Sequence, residues 1–130
     1  MITAFLAVRC VFAATWYVST TGSDSNGGTS TAPFRTITKA LSKITGNGTA
    51  SAYNKILVEG GLYEENVIMT TARNYLHFDG SYVPGSNFTS QDLKNSRTIL
   101  RSPSASGTCL KTIGTYTKVS GFDLVGGEYG

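Results

Sequence analysis

The chain has 130 residues, 40% hydrophobic and 15% charged, with 15 glycines and a formal net charge of +3. This is at most one domain, too apolar for a disordered chain and too rich in turn residues for a helical bundle. Arg35, Lys39, Lys43, Lys55, Arg73, Lys94, Arg97, Arg101, Lys111 and Lys118 are dispersed without a run; a nucleic-acid footprint needs them clustered on one face, so nucleic acid is not an expected partner.

Residues 1–14, MITAFLAVRCVFAA, read as a secretory signal peptide, an apolar stretch ending in small residues that suit cleavage after Ala13 or Ala14. The predicted location is therefore secreted or cell-surface. Cys10 follows Arg9, a poor fit to a lipoprotein processing site. With the leader removed, Cys109 is the only thiol, which excludes a disulfide framework and a Cys/His zinc site. No other apolar run approaches the roughly 18 residues that span a bilayer, so no transmembrane segment is expected in the mature chain.

Trp16-Tyr17-Val18-Ser19 is a β run, and Gly22 to Ala32 is a loop of Gly, Ser, Asn and Asp. Pro33 is expected to open a helix in which Phe34, Ile37, Ala40, Leu41 and Ile44 share one face, with Gly46-Asn47-Gly48 as the stop. A helix with one side to bury, placed ahead of a ladder of strands, suits a cap. From Lys55 onward come brief β-rich runs: KILVEGG, NVIMT, YLHFDG, RTILRS, TCLKTIG and TKVSGFDLVGG. Several of their centres recur about every 20 residues, a spacing that suggests stacked parallel coils. Ile56, Val58, Val67, Met69, Leu76, Phe78, Ile99, Ile113 and Phe122 are expected to point inward. The loop from Gly80 to Lys94 interrupts the rhythm. The chain stops inside what reads as a continuing coil, so residues 15–130 are expected to be the cap and first coils of a domain truncated at its C-terminal end.

The segment YVSTTGSDSNGGTSTAPFRTITKAL, followed by ILVEGGLYEENVIM, resembles the start of secreted right-handed parallel β-helix proteins of the pectin-lyase-like superfamily. FDGSY and SNFTSQDLKNSRTIL are similar to exported bacterial β-helix proteins, in which a Gly-Ser-Tyr turn, a Phe-Thr-x-x-Asp segment and a Thr-Ile-Leu strand follow one another. The resemblance implies an all-β right-handed parallel β-helix, a solenoid with an N-terminal capping α-helix. It also implies that the aspartates and the Lys or Arg base of the family's enzymes lie on later coils, so no catalytic residue is carried over. Two functions are compatible with it: a carbohydrate-binding or carbohydrate-active protein when full length, lyase or glycoside hydrolase if an enzyme; or a non-catalytic adhesin-type surface solenoid.

At Asp24, within Gly-Ser-Asp-Ser-Asn-Gly-Gly, two readings are open. Closely spaced oxygen ligands in a glycine-bearing loop suit a hard cation such as calcium, and a single Asp in such a loop suits an Asx-type turn. Glu64-Glu65 are adjacent on extended chain and point apart, so they cannot flank one glycosidic bond and read as a solvated turn. His77, the sole histidine, faces outward if Leu76 and Phe78 face the core. Tyr53, Tyr63, Tyr75, Tyr82, Phe88 and Tyr116 lie in or beside turns, where aromatic faces stack on sugar rings or cover core edges. Tyr63 and Tyr82 are the candidate carbohydrate contacts, and a polysaccharide is the candidate partner.

Overall fold

The computed structural model describes residues 13–105 and 107–126. The predicted leader falls, except for Ala13 and Ala14, outside the described residues. Nine short strands and one helix follow in chain order: β1 (Thr15–Val18), α1 (Ile37–Lys43), β2 (Asn54–Glu59), β3 (Gly61–Glu64), β4 (Val67–Ile68), β5 (Leu76–Tyr82), β6 (Thr98–Arg101), β7 (Leu110–Lys111), β8 (Thr117–Ser120) and β9 (Phe122–Val125). They form three parallel sheets: four strands in the order β1-β2-β5-β8, three in the order β3-β6-β9, and the pair β4-β7. From β2 onward the chain visits the four-, three- and two-stranded sheets in turn and then returns to the first.

Strands this short cannot bury a face alone, so each inward side chain stacks on its counterpart in the next layer. Trp16, Ile56, Phe78 and Val119 form one such row, and Tyr63, Leu100 and Leu124 another. Val18, Ile56, Val58, Val67, Leu76, Phe78 and Leu100 are fully buried. Ile99 is not among them. In β6 the inward positions are Thr98 and Leu100, because Leu100 stacks on Tyr63 while the Thr98 hydroxyl, wholly enclosed, bonds the Glu59 carbonyl at 3.1 Å and accepts from Ser81 N–H at 2.8 Å. Ile113 lies outside the strands and is exposed, and Phe122 is half-buried against the core.

The even 20-residue spacing does not describe the stacking. Asn54 lies beside Leu76 and Leu76 beside Thr117, so the offset is 22 residues and then 41. The Thr98-Ile99-Leu100 run, which helped suggest the spacing, belongs to a different sheet from the other three.

The helix begins later than Pro33. Phe34 lies beside Val18 as a one-residue parallel bridge, with its N–H on Tyr17 O and its carbonyl accepting from Ser19 N–H, both at 2.9 Å. That pairing places Phe34 in the sheet rather than in the helix. Thr36 then caps α1, its hydroxyl accepting from Lys39 N–H at 3.1 Å. The expected apolar face is present: Phe34, Ile37, Ala40, Leu41 and Ile44 all enter the core, where α1 packs on β1, β2 and β4. At the corner between the four- and three-stranded sheets, Gly121 has φ 70° and an added Cβ would stand 2.6 Å from Gly80 O, so the two turns approach as only glycine allows.

Candidate functional site

Alternation along the four-stranded sheet sends every second residue of β1, β2, β5 and β8 outward. Two outward rows result: Thr15, Lys55, His77 and Lys118, then Tyr17, Leu57, Asp79 and Ser120. Two lysines therefore flank the histidine on neighbouring strands, about 4.8 Å apart per step. The residues just before β2, β5 and β8 are all tyrosines. Tyr75 and Tyr116 stack with centroids 4.6 Å apart and planes within 9°, and Tyr53 meets Tyr75 edge-on at 5.5 Å. Tyr75 and Tyr116 share left-handed φ angles of 55° and 58°, which turn both rings to the same side. Lys118 Nζ lies 4.6 Å above the Tyr53 ring. Together Tyr53, Lys55, His77 and Lys118 line an open cavity of about 370 Å³.

Asp79 anchors the second row. Its Oδ2 accepts from Tyr82 OH at 2.9 Å, and its Oδ1 accepts from Gln91 Nε2 at 2.9 Å and Ser120 Oγ at 3.1 Å. Ser120 Oγ is also 2.7 Å from His77 Nε2. Because the single Ser120 proton goes to Asp79, the hydroxyl accepts from His77 Nε2–H, leaving Nδ1 as the open acceptor. A nucleophilic triad needs the reverse arrangement, with serine donating to imidazole and the carboxylate on the far ring nitrogen. Here Asp79 sits on the Nε2 side, 3.9 Å away. The cluster holds side chains in position and does not activate Ser120.

Burial, then the hydrogen bond to Asp79 and its negative charge, keep the Tyr82 phenol protonated well above the usual tyrosine range. Burial also lowers the His77 pKa below its ordinary 6.5; Lys118 and Lys55 act in the same direction, and Asp79 opposes them. As pH falls below about 6.5, the unfolded chain then takes up a proton that the folded chain resists, so stability is intact above that pH and declines below it. Thermal melts from about pH 7 to 5.5 are expected to show this decline in the native chain and a shallower one in His77→Gln. Equal slopes would mean that His77 is not the group responsible.

The predicted site residues separate. Tyr82 borders this face, half-buried, beside Phe88 at 5.8 Å. Tyr63 does not: it is 1% exposed, and its hydroxyl donates to Glu59 O at 2.9 Å inside the core, so it offers no ring face to a sugar. Phe88 is likewise buried, packed edge-on against Tyr17 at 4.9 Å. Asp24 spends both carboxylate oxygens on the approach to α1, accepting from Arg35 N–H at 3.0 Å, Thr36 N–H at 2.9 Å and Thr36 Oγ1 at 2.8 Å. A cation there would displace those donors. Glu64 and Glu65 do point apart, but neither is idle: Glu64 pairs with Arg101, and Glu65 binds the start of α1. Among the described residues no three His, Cys, Asp or Glu gather as a metal site, and no helix is long and apolar enough to cross a membrane.

A family profile described as "Protein of unknown function (DUF1565)", from a family associated with β-helix proteins, matches residues 20–70. That span runs from the loop after β1 through α1 to the segment following β4. No curated protein and no solved structure matches the chain.

Proposed function

We propose that the chain forms an exported right-handed parallel β-helix, and that the outer face of its four-stranded sheet binds polysaccharide, acidic chains above neutral ones. The solenoid reading is supported by three parallel sheets visited in a fixed order, by a helix covering the core at the first strands, and by the profile match over residues 20–70. Export is supported by the apolar leader-like run of residues 1–14.

The observation that carries the binding reading is the Lys55, His77 and Lys118 row beside the Tyr53, Tyr75 and Tyr116 stack. Tyr116 is 63% exposed and offers a flat face on which a pyranose ring can stack. The ammonium groups supply countercharge to ring carboxylates, and the His77 Nδ1 acceptor and Ser51 supply hydrogen-bonding groups to sugar hydroxyls. Repeating cations along parallel strands match a repeating anionic polymer better than a single small anion.

Isothermal titration of the full chain with polygalacturonate and with a neutral glucan tests this. Binding to the acidic polymer is expected to weaken as ionic strength rises from about 0.05 to 0.5 M. It is also expected to fall about tenfold in the Lys55→Ala/Lys118→Ala variant, a difference of roughly 1.4 kcal/mol. Equal affinity for both polymers, or none for either, would remove the proposal.

A further inference from the structure

At the other end of the same sheet face lies a second cavity, of about 550 Å³, unrelated in chemistry to the lysine row. Ser19, Thr21, Ser30, Thr31, Glu59 and Asn87 line it. Glu59 is four residues beyond Lys55 on β2, about 13 Å along the strand, so the two sites are separate.

The local backbone is irregular where the site forms. Leu57 pairs with Asp79 and Glu59 with Tyr82, so β5 sets two residues, Gly80 and Ser81, against Val58 alone. Bulges of this kind re-aim side chains. Glu59 is only 8% exposed, yet among the described residues it forms no ion pair. Ser19 Oγ, at 2.8 Å from Oε2, is the one described donor that reaches its carboxylate. Thr21 Oγ1 stands 3.0 Å behind Ser19 and completes the relay. One hydrogen bond compensates little of the cost of withdrawing a carboxylate from water. The remaining walls supply hydroxyls, an amide and the apolar rings of Pro33 and Pro84, and no cation.

We infer that this cavity binds a protonated amino sugar, with its ammonium group on Glu59 and its hydroxyls on the surrounding Ser, Thr and Asn side chains. The volume suits a small organic molecule. A calcium ion would need more than one carboxylate and far less space. The inference does not depend on the lysine row.

Titration of the full chain with glucosamine, glucose, N-acetylglucosamine and calcium chloride, followed by calorimetry and ligand-observed NMR, tests it. Glucosamine is expected to bind at least about tenfold more tightly than either neutral sugar. Glu59→Gln should abolish that preference, whereas Lys55→Ala/Lys118→Ala should leave it intact. Should Glu59→Gln fail to fold, Thr31→Val at the rim is expected to weaken glucosamine several-fold with Glu59 still in place. Binding of calcium alone, equal binding of glucose and glucosamine, no binding of any probe, or an unchanged affinity in Thr31→Val would each overturn the inference.

Discussion

Replacing Phe34 with alanine is expected to destabilise the chain by about 3–5 kcal/mol. The side chain is wholly enclosed, and its ring stacks on Trp16 at 5.8 Å with planes 30° apart. The ring also abuts Gly28, where an added Cβ would come within 2.3 Å of it. Its backbone also extends the four-stranded sheet by bridging Val18. The cavity therefore opens where the sheet, the loop and α1 meet, and the surrounding backbone is too constrained by hydrogen bonds to collapse into it. Phe34→Leu keeps most of the volume and is expected to cost about 1–2 kcal/mol. Against a typical total of about 5–15 kcal/mol, the alanine variant should be readily distinguished by denaturant unfolding. A loss below about 1 kcal/mol would show that the ring is not part of the stability core.

Phe34 also marks what the sequence discloses. Its place on the apolar face with Ile37, Ala40, Leu41 and Ile44 is legible because helical periodicity is local. Its extended backbone is not, since that depends on pairing with Val18, 16 positions back. The strands are similarly visible as brief apolar runs, while their register is hidden by offsets of 22 and 41 residues. The lysine row follows from that register. Lys55, His77 and Lys118 look like scattered surface charges until the layers are stacked, although Tyr53, Tyr75 and Tyr116 already stood out as turn aromatics. Tyr63 misleads because a Gly-Gly-Leu-Tyr turn suggests exposure, whereas alternation in β3 turns its ring inward. Glu59 escapes notice for a related reason: its setting depends on a bulge in β5, a different segment of chain.

Truncating Glu65 to alanine is expected to cost about 2–3 kcal/mol, far more than the same change at its neighbour Glu64. A helix of seven residues is too short to persist without help, and its first N–H groups have no partners within the helix. Glu65 supplies partners for the first two, and Asp24 fixes the backbone just ahead of them. Asp24 takes the N–H groups of Arg35 and Thr36, and Glu65 takes those of Ile37 at 3.0 Å and Thr38 at 2.7 Å, together with the Thr38 hydroxyl at 2.7 Å. Thr36 then receives Lys39 N–H, so donors 35 to 39 are satisfied in succession. Their negative charge also favours the N-terminal end of the helix dipole. Removing Glu65 leaves three donors to compete for water at a partly covered surface. Glu65→Gln retains an acceptor and should recover about half of the loss. Glu64 contacts only the exposed Arg101 guanidinium, so Glu64→Ala should change stability by less than about 1 kcal/mol. Denaturant unfolding of the three variants decides the matter: equal effects at positions 64 and 65 would mean that the helix end is held by packing of Ile37, Ala40 and Leu41 alone. If the asymmetry holds, Glu65 ties the turn after β3 to the start of α1, so that the helix is held by a side chain as well as by its apolar face.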